Sequence, residues 1–111
     1  MSAAPRALPT LSYHVPLALG EGAAHGWAII KRIRELTDHD ANPSSGSLYL
    51  AMVRLEDDGL IAECPTPAGD DARRRYYGLT PLGRDVARAE SERLERLVRR
   101  ARAVDLLHAP E

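Results

Sequence analysis

The run Asn42-Pro43-Ser44-Ser45-Gly46-Ser47-Leu48-Tyr49-Leu50-Ala51-Met52-Val53-Arg54-Leu55-Glu56-Asp57-Asp58-Gly59-Leu60-Ile61 decides the fold. Pro43 pushes Asn42 away from helical angles and so separates this run from what precedes it. Ser44 or Ser45 can cap a helix, because a side-chain oxygen there accepts an orphan amide of the first turn. Leu48, Met52 and Leu55 recur at helical spacing and form one apolar stripe. Gly59 stops the helix, since glycine takes the left-handed stop conformation cheaply. Leu60 and Ile61 begin something buried and extended. On a wheel of about 100° per residue, Gly46, Ser47, Leu50, Val53 and Arg54 face outward, with Tyr49 on the flank. That side carries hydroxyls, an aromatic ring, an arginine and two aliphatics, with carboxylates only at its end. Such a mixture suits a groove better than bulk water.

Upstream, a helix can start near Thr10 or Ser12 and run to Leu19, with Leu11, Val15, Ala18 and Leu19 on its apolar side. Pro16 clashes with the carbonyl four residues back, so this helix is expected to start late or bend. Residues 20 to 24 form a turn. A second helix runs from near His25 to about Asp38, burying Ile29, Ile30, Ile33 and Leu36. Downstream, Leu60 to Cys64 reads as a strand, residues 65 to 71 as a loop, and Arg73 to Leu79 as the returning strand. Tyr76 and Tyr77 alternate across it, so one is expected buried and the other exposed. Thr80-Pro81 is a strong helix start, a cap followed by proline at the first helical position. Only Gly83 interrupts the pattern from there to about Leu107. Leu82, Val86, Leu94, Leu97, Ala101 and Val104 form a stripe. At ~1.5 Å per residue the helix is about 40 Å long, more than a small body covers. The surplus stripe needs a partner, and a second copy supplies one.

Three segments resemble the PadR-like family of transcriptional regulators. Ser45-Gly46-Ser47-Leu48-Tyr49 with Arg54-Leu55-Glu56-Asp57-Asp58-Gly59-Leu60-Ile61 is similar to the family's recognition helix. The run from Ala18 to Ile29, including His25-Gly26-Trp27, resembles its first-to-second helix junction. Arg74-Arg75-Tyr76-Tyr77-Gly78-Leu79-Thr80-Pro81-Leu82-Gly83-Arg84 resembles its wing strand and the start of its last helix. The similarity covers roughly residues 11 to 104 in the family's order and spacing. It implies a mainly α fold with a small β-hairpin: a winged helix-turn-helix at residues 10–80, a C-terminal dimerisation helix at 81–107, and a flexible tail at 1–9. It further implies a homodimeric repressor that binds a palindromic site on double-stranded DNA. A small-molecule effector, bound in the dimer cleft, would release it by changing the separation of the two recognition helices. The family includes sensors of phenolic acids and of multidrug-type compounds.

On that footing the expected DNA contacts are Ser45, Gly46, Ser47, Tyr49, Leu50 and Arg54 of the recognition helix, Arg73, Arg74 and Arg75 of the wing, and His25. Hydroxyls at Ser47 and Tyr49 can meet phosphates or base edges, and Leu50 can meet a thymine methyl. Arginines on a wing can clamp phosphates or enter the minor groove. Asp70 and Asp71 oppose them or orient them. His25 and Gly26 begin a helix whose amides can receive a phosphate or simply close a capping turn. The dimerisation stripe is Leu94, Leu97, Val98, Ala101 and Val104. Trp27 can stack on a ligand or fill a core or an interface. Tyr13 and His14 complete the ligand candidates.

Composition bounds the alternatives. The 111 residues suit one domain of modest core, and 28% charged with 44% hydrophobic residues suits a globular chain. The formal charge of −1 means that DNA affinity must come from local placement of charge. No apolar run approaches the ~20 residues of a membrane span. The N-terminal residues lack the apolar core of a signal peptide, so a cytoplasmic protein is expected. Cys64 is the sole cysteine, so no internal disulfide forms. His14, His25, His39, His108 and Cys64 have no metal-ligand spacing, and no metal or cofactor is expected. Glu90, Glu92 and Glu95 read as solvated helix ion pairs rather than acid and base. No nucleophile elbow or phosphate-cradling glycine loop is present, so an enzyme is not expected. Two further readings stand beside the regulator: an adaptor that holds a protein partner on the same fold, and a thiol- or metal-responsive regulator using Cys64.

Overall fold

The computed structural model describes residues 10–108, and the expected tail at 1–9 lies outside them. Helix α1 is Thr10–Leu19, strand β1 Ala24–His25, helix α2 Gly26–Leu36 and helix α3 Ser45–Asp57. Strands β2, Ile61–Cys64, and β3, Tyr76–Leu79, follow, and helix α4, Pro81–Ala103, closes the order. The sheet is antiparallel in the order β1-β3-β2. This is the mainly helical winged helix-turn-helix expected from the sequence, with a long last helix.

The core is built where the apolar stripes meet. Val15, Ala18 and Leu19 of α1 pack with Ile29 and Ile33 of α2, with Leu48, Met52 and Leu55 of α3, and with Leu60 and Ile61. Every member of the expected α3 stripe is therefore buried. Leu36 is not: it lies in the last turn of α2 and stays exposed. Pro16 is buried inside α1, which nevertheless begins at Thr10, so the late start is not found. The proline has no amide to offer the Ser12 carbonyl, and one helical hydrogen bond is lost there.

Three boundaries differ from the sequence reading. β1 is a strand where only a turn is legible; its two residues pair with Tyr76 and Tyr77 of β3. β3 begins at Tyr76, so Arg73, Arg74 and Arg75 belong to the wing loop. Both Tyr76 and Tyr77 are half-buried, because β3 is the central strand and both of its faces are partly covered. Helix α4 ends at Ala103, four residues short of the expected end. Val104 is its C-cap and Asp105 turns left-handed with φ 66°.

Thr80 and Gly83 join α4 to the body. Thr80 caps the helix by accepting from the Gly83 amide at 2.9 Å. Its hydroxyl donates to the Gly59 carbonyl at 2.6 Å, and its amide donates to the Leu60 carbonyl at 3.1 Å. Gly59 itself sits at φ 76°, the left-handed stop expected of it. Gly83 is buried against the backbone of Leu60, and a side chain there would collide with the Leu60 carbonyl group. It is thus a close-packing position rather than a helix breaker.

Further along α4, Glu90 is buried and held by Arg93 through two hydrogen bonds of 2.9 and 2.8 Å. It is not a solvated pair, unlike Glu95–Arg99 one turn on. Burial of a carboxylate is tolerable only with such charge-assisted bonds.

Candidate nucleic-acid interface

Ser44 is the cap of α3. Its hydroxyl accepts from the Ser47 amide at 3.1 Å and donates to the Ser47 hydroxyl at 3.0 Å. The Ser47 hydroxyl is thereby fixed in place with its own proton left to donate outward. Ser45, Gly46, Ser47, Tyr49, Leu50, Val53 and Arg54 are all exposed. Tyr49 and Leu50 are 68% and 69% exposed, a large apolar area for a helix that has nothing packed on that side. The outward face read from the sequence is therefore the solvent face of α3.

The wing loop stands beside this helix. Arg73 is gripped by Asp71 through Nε and Nη2 at 3.1 and 3.0 Å. Arg74 donates to Asp70 at 3.2 Å, and the Tyr76 hydroxyl donates to the other oxygen of the same carboxylate. Asp70 and Asp71 thus orient two of the three arginines. Arg75 is exposed and has no carboxylate partner among the described residues. The Tyr76 hydroxyl, the Asp71 amide and Arg74 hold the Asp70 carboxyl below its ordinary range. A depressed value in the folded state stabilises the loop above the ordinary carboxylate range. That contribution disappears as the pH falls through the lowered value.

His25 sits where strand, helix and wing meet. As the N-cap of α2 its Nδ1 accepts from the Ala28 amide at 3.3 Å. Its ring lies edge-on to Tyr76 at 5.3 Å, and its Nε2 faces Nη1 of Arg74 at 3.4 Å. A cleft of about 500 Å³ opens here between the start of α2, one side of α3 and the wing. Ser45, Tyr49, His25, Arg74 and Arg75 line it, so five of the ten expected DNA-contact residues share one concavity. Gly46, Ser47, Leu50 and Arg54 lie on the outward face of α3, and Arg73 lies at the wing tip, 91% exposed.

The three ligand candidates do not converge. Trp27 is 70% exposed, which removes it from the core. It lines the cleft with α3, and Lys31 approaches its ring at 6.0 Å. Tyr13 instead bonds Ser91 of α4 at 2.7 Å, and neither it nor His14 lines the cleft. On α4, Leu97 is 55% exposed, and Val98 and Val104 are also exposed, while Leu94 and Ala101 are half-covered. Cys64 is half-buried, with its thiol directed to the Ala62 carbonyl. Among the described residues no cluster of three potential metal ligands occurs, and no helix is long and apolar enough to cross a membrane.

The profile of the transcriptional regulator PadR-like family matches residues 17–89, well over half of the chain. The chain belongs to the PadR-like family. Two curated relatives are each 38% identical to it. One is an uncharacterized 37.1 kDa protein of transposon TN4556 in Streptomyces fradiae, over 80 residues; the other is the transcriptional regulator Rv3488 of Mycobacterium tuberculosis, over 66. These matches take in 72% and 60% of this chain but only 21% and 61% of the relatives' lengths. A transcriptional regulator from Clostridium thermocellum superposes with a TM-score of 0.70 at 29% identity, covering 89% of this chain and 90% of its own. The PadR-like match includes the cleft, from His25 to Tyr77, and ends within α4 at residue 89. The stripe from Leu94 onward, with Leu97, Val98 and Val104 exposed, lies past it.

Proposed function

We propose that this PadR-like chain is a cytoplasmic, homodimeric repressor that reads a palindromic site on double-stranded DNA. It does so with the outward face of α3 and clamps the flanking backbone with the wing. The observation that carries this reading is the solvent face of α3, which has no carboxylate from Ser45 to Arg54 and is flanked by three arginines. Paired α4 helices hold two such faces on one side of a duplex, with half-sites about one helical turn apart or a multiple of it. A small-molecule effector that alters this arrangement lowers DNA affinity. Selection of genomic fragments by the purified protein tests the reading. Recovery of a palindrome supports it, and recovery of no common sequence removes it. Binding that is also indifferent to salt favours the protein-holding adaptor, because phosphate contacts release counterions and protein contacts mostly do not.

The ion pairs of the wing rank its arginines. Arg75 meets phosphate without first leaving a carboxylate, whereas Arg73 must break a two-bond pair. Arg75→Ala is expected to weaken binding to all duplexes by similar factors and to flatten the salt slope by about one unit. Arg73→Ala should do less. Titrations of operator and random duplex across a salt series measure both; equal slopes in all three proteins would mean that the wing is only solvated.

Assembly is tested on α4. Leu97→Asp puts a charge into the proposed seam, where an unpaired carboxylate cannot be buried cheaply. Sedimentation should find monomer, with the helical signal of the body retained, since Leu97 is exposed and not a member of the core cluster. A stable dimer of this variant would place the seam elsewhere.

A further inference from the structure

We propose that Asp71 is an internal competitor for DNA. Its carboxylate occupies the guanidinium of Arg73 where a phosphate would sit, and so holds down the affinity of the wing. The inference rests on the DNA reading proposed above and assigns an autoinhibitory contact within it.

The first observation is the geometry of the pair. Asp71 meets Arg73 edge to edge, with Nε donating to Oδ1 at 3.1 Å and Nη2 to Oδ2 at 3.0 Å. A guanidinium receives a carboxylate and a phosphate through the same two-bond fork. Oδ1 also accepts from the Arg73 amide at 2.9 Å, so the pair closes within three residues of chain. Both partners are exposed. The bonds from Arg73 hold the Asp71 carboxyl below its ordinary range, so it is charged at neutral pH. A phosphate arriving at the wing tip must therefore displace an oxyanion already seated. Exchange of one oxyanion for another gains little, and Arg73 adds little to duplex affinity while Asp71 stays in place.

The second observation is that the loop does not need this carboxylate. The Arg74 amide donates to the Asp71 carbonyl at 3.0 Å, and the Thr66 hydroxyl donates to the Arg74 carbonyl at 2.8 Å. Neither bond involves the Asp71 side chain. Asp70 is different. It accepts from the Asp71 amide at 2.7 Å and from the hydroxyl of Tyr76 on the central strand, as well as from Arg74 at 3.2 Å. With Arg74 gone it keeps two donors, so it belongs to the frame of the wing. Among the described residues, the Asp71 carboxylate bonds Arg73 alone. Its one effect is on that arginine, at the tip where the DNA reading wants positive charge.

The test is a double-mutant cycle of Asp71→Asn and Arg73→Gln in the full chain. Fluorescence anisotropy on a labelled random-sequence duplex reads affinity, and circular dichroism melting confirms that each variant is folded. An exposed ion pair holds by up to about a factor of five, which bounds the effect. Asp71→Asn should bind about two- to fivefold tighter than the parent. Arg73→Gln should weaken the parent by no more than about twofold, because its guanidinium is already occupied. In the Asp71→Asn background the same change should remove the whole gain. Were the two residues acting only through their charges, each would shift affinity by the same factor in either background. Asp85→Asn, which frees Arg88 on α4 from a similar exposed pair, should leave duplex binding unchanged. Additive effects overturn the competition. So does weaker binding by Asp71→Asn, which would mean that the carboxylate holds Arg73 ready for DNA. Either result leaves the DNA reading standing so long as the parent binds duplex and Arg75→Ala still flattens its salt slope. If the parent binds no duplex even at low salt, that reading falls and takes this inference with it.

Discussion

Gly83→Ala should be the most damaging single-methyl change in this chain. Intrinsic propensity predicts the reverse, because alanine is about 1 kcal/mol better than glycine inside a helix. The packing outweighs it. A methyl at Gly83 meets the carbonyl group of Leu60, with the carbonyl carbon only 2.8 Å away. That carbonyl cannot step aside, since it accepts from the Thr80 amide, while the Thr80 hydroxyl holds Gly59 next to it. Relief requires α4 to lift off the body, which takes the Thr80 cap and the half-buried Val86 with it. Overpacking typically costs 1–3 kcal/mol, and occasionally more where backbone must move. This site belongs at or above the upper end. Thermal unfolding followed by circular dichroism should show a melting point lower by roughly 10 °C or more. A melting point that stays or rises would mean that α4 rides loosely on Leu60.

The second large effect separates fold from reading on the same helix. Leu55 is buried at the meeting of α1, α2 and α3, and Leu55→Ala should cost about 2–5 kcal/mol in stability. Tyr49, six residues earlier and on the solvent side, buries little. Tyr49→Ala should melt like the parent yet lose specific operator binding by ~1–3 kcal/mol more than nonspecific binding. One variant keeps its fold and loses its operator; the other loses its fold. If Tyr49→Ala binds operator as tightly as the parent while Ser47→Ala or Arg54→Ala does not, the reading face is rotated about α3 from the one proposed. If no substitution on that side matters, α3 does not read DNA.

The contrast is possible because the stripe of α3 was legible in the sequence. A single helix records its buried side as a spacing, and Leu48, Met52 and Leu55 kept theirs. The caps were legible for a similar reason: Thr80-Pro81 acts within one turn. What the sequence concealed is non-local. β1 is two residues long, too short to show alternation, and exists only because β3 pairs with it from 51 to 53 residues away. Leu36 fits the stripe of α2, but the body ends before it. The burial of Glu90, which pairs with Arg93, could not be read from hydropathy. In the candidate site the outward residues of α3 were legible by the same spacing. The pairing of Arg73 with Asp71 and of Arg74 with Asp70 was visible only as a possibility of charge. Trp27 was separated from Tyr13 because α1 turns Tyr13 toward α4, while α2 presents the tryptophan to the cleft beside α3.

The contact of Gly83 with Leu60 also has a mechanical side. It is a close backbone approach of α4 to the body, near one end of a rod whose residues 95 to 100 are all exposed. The twenty-one residues from Gly83 to Ala103 make an arm of about 30 Å. Tilting that arm by roughly 5° about its pivot carries the far end sideways by about 2.6 Å, while the pivot itself hardly moves. A fulcrum with no side chain in it works as a short gear: displacements too small to disturb the core become steps of atomic size at Val98 and Ala101.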